Sequence, residues 1–158
     1  MRGEEMETVT LCFLIRRGEV CLAMKKRGFG AGRWNGYGGK VRERESLGEA
    51  VVREIREESG IEMKPHDLKS QGDIEFYFRD HPEFNQRVYI FTARSWQGEP
   101  CETEEMKPQW FPIDRLPLKD MWASDAKWVP LVLAGKKVTG ECHYKDSGGE
   151  FSIRLKED

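Results

Sequence analysis

Glu54, Glu57 and Glu58 fall close together, directly after Arg53. Placed on a helix at 100° per residue, the three carboxylates share an arc of about 100°, while Val51, Val52 and Ile55 occupy another side. Like charges three and four residues apart cost a few tenths of a kcal/mol each, a cost that one Lys or Gln would remove. A divalent cation reverses the sign of that cost. All-oxygen donors suit Mg²⁺ or Mn²⁺, and Mg²⁺ is commonly held by a few carboxylates together with water and substrate phosphates. The pattern therefore points to phosphoryl chemistry, with Arg53 placed four residues before Glu57 to pair with it. A solvated, glutamate-rich helix face satisfies the same three residues.

The elements that would carry these residues follow from punctuation along the chain. Ser46 with Glu49 three residues later makes a capping box, no proline interrupts the segment, and Gly60 suits a C-terminal cap, which predicts a helix over Leu47 to Ser59. Upstream, Thr8 to Ile15 and Glu19 to Met24 read as a hairpin around Arg16, Arg17 and Gly18. Lys25 to Gly39 is a glycine-rich loop anchored by Phe29, Trp34 and Tyr37. Pro65 closes the helical region. Strands are expected at Asp73 to Phe78 and at Arg87 to Ala93, the second apolar enough to lie centrally in a sheet. An acidic loop over Gln97 to Lys107 precedes a short strand at Trp110 to Ile113. A second helix is expected over Asp125 to Leu133, with Ser124 as N-cap and Gly135 as stop. Lys137 to Tyr144 and Glu150 to Leu155 form a last hairpin around Ser147, Gly148 and Gly149. At 158 residues, the whole chain (1–158) is expected to be one domain with its own core.

Composition removes several classes of function. Lys plus Arg number 26 against 28 Asp plus Glu, a net charge of −2, which argues against a basic footprint for nucleic acid over the whole surface. No apolar run approaches the ~18 residues of a membrane span. Cys12, Cys21, Cys101 and Cys142 show no paired spacing, so neither a zinc knuckle nor a redox pair is supported. The start from Met1 to Glu7 is acidic and unlike a secretory signal, and buried, reduced thiols in a cytoplasmic protein are expected.

From Gly39 the sequence runs through Glu45, Arg53, Glu54, Ile55, Glu57, Glu58, Gly60 and Ile61 at a spacing that resembles the Nudix hydrolase signature at each defined position. A chance match of seven such residues has a probability on the order of 10⁻⁸ at a given position. The segment Met24 to Lys40, with Trp110-Phe111 and Lys119 to Trp122, resembles the mammalian-type oxidised purine nucleoside triphosphatases, the 8-oxo-dGTP diphosphatases related to MutT. The resemblance implies an α+β fold, an α/β/α sandwich with a mixed β-sheet between helices. It implies hydrolysis of a nucleoside triphosphate to the monophosphate and pyrophosphate, with Mg²⁺ as cofactor and Mn²⁺ as a substitute. Glu54, Glu57, Glu58 and the Gly38 carbonyl would hold the metal, and Glu105 would reach the same cluster. The general base stays open among Glu54, Glu58 and Glu105. Phe29, Phe76, Trp122 and Trp128 would form an apolar slot for the base. Asn35, Asp125 and Ser124 would read its edge, with Thr10, Lys25, Tyr37, Gly38, Gly39 and Lys40 lining the sugar and phosphate path.

One departure stands out: two adjacent aspartates in the mammalian-type enzymes are Ser124 and Asp125 here, and a hydroxyl carries no charge to tune. Gln86 and Tyr144 also replace apolar pocket residues. The expected function is the sanitising of oxidised purine deoxynucleotides by a monomeric enzyme whose partner is a small-molecule nucleoside triphosphate, with neither nucleic acid nor membrane involved. Two alternatives remain at this level. One is a Nudix hydrolase of another nucleoside diphosphate derivative, such as a methylated purine nucleotide or a capped RNA. The other is a catalytically silent nucleotide-binding protein, which the complete set of glutamates disfavours.

Overall fold

The computed structural model describes residues 6–147 and 149–158, so Gly148, one of the three residues expected to join the last hairpin, and residues 1–5 of the acidic start lie outside the described residues. Strand β1 (Glu7–Arg16) turns back into β2 (Glu19–Lys25) through Arg17 and Gly18, both at positive φ. A short β3 (Trp34–Asn35) emerges from the glycine-rich loop, followed by helix α1 (Leu47–Ser59). Then come β4 (Leu68–Phe78), β5 (Gln86–Ala93), β6 (Met106–Pro112), helix α2 (Asp125–Leu133), β7 (Val138–Tyr144) and β8 (Phe151–Glu157).

These strands form one mixed sheet in the order β3-β2-β1-β5-β4-β7-β8. β1 runs parallel to β5 and β4 parallel to β7, and the remaining pairs are antiparallel. Residues 19–21 of β2 pair with β1 and residues 23–24 with β3, while β6 runs along the whole opposite edge of β2.

Alternation along β1 divides the core in two. Phe13 and Ile15 pack with Trp128, Val129, Val132 and Leu133 of α2, whereas Cys12 and Leu14 pack with Val51 and Ile55 of α1. Successive strand side chains point to opposite faces, so the two helices cover opposite sides of the sheet. The α/β/α layering expected from the resemblance is present. Cys12, Cys21 and Cys142 are buried, Cys101 is exposed, and all four are free thiols. No described helix is long and apolar enough to cross a membrane.

The capping box of α1 forms as the sequence predicts. Glu49 N–H donates to Ser46 Oγ at 3.1 Å, and Ser46 N–H donates to the Glu49 carboxylate at 2.9 Å. Gly60 closes the helix in the left-handed region at φ 81°.

Three expectations need correction. β4 begins at Leu68, not Asp73, because a register shift between Ser70 and Asp73 interrupts the alternation that marks a strand. β6 begins at Met106, not Trp110, since pairing with β2 imposes strand geometry on the polar residues before the aromatics. Ser124 precedes α2 but its side chain caps nothing, because the hydroxyl is engaged elsewhere.

The glycine-rich loop is held against β1 as an extra strand-like segment. Cys12 and Tyr37 exchange both backbone hydrogen bonds at 2.6 and 2.9 Å, Thr10 N–H donates to Gly39 O at 2.9 Å, and Val41 N–H donates to Thr8 O at 3.0 Å. A Cβ on Gly38 would lie 1.8 Å from the Thr10 carbonyl oxygen, so only glycine permits this approach. Gly38→Ala should therefore cost about 3 kcal/mol, or roughly 6–12 °C of melting temperature in a chain of this size. A thermal melt of the variant within 2 °C of the parent protein, on that same scale of roughly 2–4 °C per kcal/mol, would contradict this packing.

Candidate active site

Arg53 lies at the centre of the acidic face of α1. All five of its N–H donors are occupied. Nε and Nη2 form a fork onto Glu45 at 2.6 and 3.0 Å, and Nη2 also donates to the Lys40 carbonyl at 3.1 Å. Nη1 donates to Glu54 at 3.0 Å and to Glu57 at 3.3 Å. The sequence suggested the Glu57 pairing; the fork to Glu45, eight residues earlier, is the stronger contact. It holds the Glu45 carboxyl down at about 2.

Glu58 is buried and accepts a hydrogen bond from Gly38 N–H at 3.2 Å. Burial pushes its carboxyl up to about 8, with the charges of Glu54 and Glu105 adding to the shift. Burial also raises Glu54, whose carboxylate presses on Gly39 so closely that a Cβ there would lie 2.5 Å from an oxygen. Glu57 is half exposed and lies 3.8 Å from Arg42.

These residues present oxygen donors around the buried Glu58 and the partly buried Glu54, of which Arg53 bonds only Glu54. That donor chemistry fits a hard divalent cation. Among the described residues no three acidic, His or Cys side chains already converge into a cage. Glu54 and Glu57 turn to Arg53, and Glu58 to Gly38. Glu105 is exposed in the loop after β5, 3.5 Å from Arg27, close enough for its charge to raise Glu58.

On the other side of Gly38 to Lys40 lies a cleft of about 340 Å³. It is framed by Thr10 from β1, Lys25, Phe29, Asn35, Phe76, Trp122, Asp125 and Trp128, all expected from the sequence. Gly38, Gly39 and Lys40 also line it, so this segment is the seam between the cleft and the acidic face. Lys25 Nζ donates to the Phe29 carbonyl at 2.7 Å, and Asn35 accepts from Gly36 N–H at 2.8 Å. Phe29 stacks on Phe84 at 4.0 Å and 12° and tilts against Trp122 at 5.3 Å.

Two expected residues are not in the lining. Tyr37 is fully buried beneath α1, its hydroxyl 3.9 Å from Cys21 Sγ, because β1 pairing turns it into the core. Ser124 is also fully buried: the Tyr144 hydroxyl donates to Ser124 Oγ at 2.7 Å and accepts from Ser124 N–H at 2.9 Å. Asp125 is then the carboxyl that faces the cleft. Its Oδ2 accepts from Trp122 N–H at 3.1 Å, and burial raises it to about 7 despite that bond and the Arg33 charge.

Sequence reasoning missed Arg33 and Phe84 as lining residues. Arg33 places its guanidinium 4.1 Å above the Trp122 ring and donates to the Ser147 carbonyl at 3.2 Å. Phe84 was concealed in a short polar turn, although a lone aromatic between Glu83 and Asn85 was its one signal. Gln86 and Tyr144, noted as departures, both line the cleft.

A NUDIX domain model matches residues 6–132. The chain belongs to the Nudix family. This Nudix chain is 44% identical over 150 residues to the oxidized purine nucleoside triphosphate hydrolase of Danio rerio, an alignment covering 95% of this chain and 93% of the relative. Against the mouse protein of the same description it is 45% identical over 148 residues, covering 94% and 93%. A MutT protein from Bacillus halodurans superposes with a TM-score of 0.78 at 28% identity, covering 95% of this chain and 97% of that one. The mixed sheet between two helices is therefore the Nudix fold, and Nudix hydrolases use divalent metal ions.

Asp125 gives the cleft a pH signature. Its ordinary value is 3.8 and its folded value about 7, so between those limits the folded chain keeps a proton that the unfolded chain releases. Stability is therefore lost as pH rises through this window, and the loss is complete above it. Asp125→Asn should gain melting temperature relative to the parent protein as pH goes from 5 to 8, since both points lie within or just beyond that window. Parallel melting curves for the two proteins would show that the carboxyl is not raised.

Proposed function

We propose that this Nudix protein hydrolyses oxidised purine nucleoside triphosphates to the monophosphate and pyrophosphate, using Mg²⁺ or Mn²⁺. The observation that carries the reading is the seam at Gly38 to Lys40, which borders an aromatic cleft on one side and the Glu54 and Glu58 carboxylates of α1 on the other. A nucleotide needs that pairing: a flat base in an apolar slot, and phosphates beside a charge-stabilising centre. The descriptions of the zebrafish and mouse relatives support the choice of substrate.

The base enters among Phe29, Trp122, Phe76 and Trp128, with Asn35 and Asp125 facing its polar edge. Lys25 and Lys40 meet the phosphate chain. Glu54, Glu57, Glu58, the Gly38 carbonyl and Glu105 are the groups that would hold the cation. When bound, the cation neutralises phosphate oxygens and makes an associated water more acidic. Water attacks phosphorus, the bond to the bridging oxygen breaks, and pyrophosphate leaves.

Glu58 is the best placed of the three candidate bases to take the proton. It is buried beside the seam and oriented by Gly38 N–H. Arg53 keeps Glu54 and Glu57 in fixed orientations beside it. The four free thiols support a cytoplasmic, reducing location.

Pyrophosphate release should be fast from 8-oxo-dGTP or 2-oxo-dATP and slow from dGTP. Equal rates on all three, or none on the oxidised pair, would remove the substrate assignment. Because the Ser124 hydroxyl is engaged by Tyr144, the ratio between the two oxidised substrates reports what Asn35 and Asp125 select without it. Glu58→Gln should lower kcat at least a hundredfold on the order expected for a lost acid–base group, with the fold retained by circular dichroism.

A further inference from the structure

The loop between β5 and β6 is fastened to the C-terminal end of α1 in a way that the reaction outlined above does not by itself require. A helix leaves its last four carbonyls without intrahelical partners. Here Cys101 N–H donates to the Ser59 carbonyl at 2.8 Å, and Thr103 Oγ1 donates to the Glu58 carbonyl at 3.2 Å. The same Thr103 oxygen accepts from the N–H groups of Glu105 and Met106, each at 3.2 Å. Thr103 N–H closes the turn on the Met106 carbonyl at 2.9 Å. One hydroxyl thus joins the backbone of Glu58 to the backbone of Glu105.

A second tie comes from the glycine-rich loop. Lys26 N–H donates to the Glu105 carbonyl at 2.9 Å, and Lys26 Nζ donates to the Thr103 carbonyl at 2.7 Å and to Glu102. The turn is held from the helix on one side and from the cleft loop on the other. Glu105 itself is exposed, and its ion pair to Arg27 spans 3.5 Å between two exposed side chains. Such a pair does little to fix a side chain. The position of the Glu105 carboxylate beside Glu58 is therefore set by its backbone.

We propose that Thr103 is a positioning residue, whose hydroxyl delivers Glu105 to the acidic face of α1 and so completes the cation site. The proposal rests on the Nudix reading of that face. Valine keeps the shape of threonine but has neither the donor that reaches Glu58 nor the acceptor that gathers the two N–H groups. Serine keeps both. A partner that orients a ligand commonly contributes 10–100-fold to affinity or rate, which sets the expected effect.

The test is Mn²⁺ binding, read as free Mn²⁺ by electron paramagnetic resonance, for the parent protein, Thr103→Val, Thr103→Ser, Glu105→Gln and the Thr103→Val/Glu105→Gln double variant. Thr103→Val should weaken binding about tenfold, and Thr103→Ser should restore it to within about twofold. In the Glu105→Gln background the Thr103 substitution should add nothing, because the carboxylate it positions is gone. With 8-oxo-dGTP, kcat should fall in parallel while KM for the nucleotide stays within about twofold. Unchanged Mn²⁺ affinity in Thr103→Val, additive effects in the double variant, or failure of serine to restore binding would each overturn the proposal. If Thr103→Val does not fold, Thr103→Ala in the same cycle decides it. A parent protein that binds Mn²⁺ with this pattern but leaves oxidised nucleotides intact would refute the substrate assignment and not the role of Thr103.

Discussion

The site depends above all on one guanidinium. Arg53 is nearly buried and spends every N–H it has on Glu45, Glu54, Glu57 and the Lys40 carbonyl. A lysine could not replace it, because an ammonium offers three donors around one point and not a planar fork. Burying such charges is expensive, and the cost is met only when the hydrogen bonds are complete, as they are here. Removing one partner from a buried pair typically costs 3–5 kcal/mol, roughly, because the other charge remains buried and alone. Arg53 therefore does two things with one set of bonds. It ties the loop at Lys40 and Glu45 to the helix, and it fixes two carboxylates next to the seam.

That arrangement leaves the acidic face short of positive charge. Arg53 accounts for one unit and the exposed Arg42, 3.8 Å from Glu57, for a second, while Glu45, Glu54 and Glu57 all lean on Arg53 and Glu58 accepts a backbone N–H. Burial is the main cause that raises Glu54 and Glu58, and the neighbouring carboxylate charges add to it. A fold selected only for stability would place a lysine or glutamine at one of these positions. Keeping the deficit makes sense where a cation and a phosphate chain meet, because each supplies what the other lacks.

The sequence displayed the parts of this arrangement that are local. Helix α1 was legible to its last residue, because capping by Ser46 and Glu49 and termination by Gly60 are short-range chemistry. The carboxylates were legible because helical periodicity alone places them on one face. Long-range pairing was not legible. Nothing near Ser124 in the chain indicates that its hydroxyl is taken by Tyr144, 20 residues away, and nothing near Arg33 indicates that it covers Trp122. The start of β4 was hidden for a different reason: an irregularity between Ser70 and Asp73 breaks the alternation by which a strand is recognised. Tyr37 misled because aromatic residues in a loop resemble ligand contacts until sheet pairing shows which way they face.

In the proposed reaction, base recognition and hydrolysis fall to separate elements, and the chain joins them in few places. The cleft is built from strands and from residues before and within α2, whereas the carboxylates project from α1, on the opposite side of the sheet. No side chain of α1 lines the cleft among the described residues. The two halves communicate through the backbone of Gly38 to Lys40, with the Lys26 ties to the turn at Thr103 as a second brace. Packing against Thr10 holds Gly38 at a separation that only a glycine allows, so the seam cannot shift without disturbing β1. A bound base is thereby placed relative to the acidic face by main-chain geometry, which changes less than side-chain rotamers do. Substitutions in the cleft lining can therefore alter its shape while the carboxylates of α1 keep their positions.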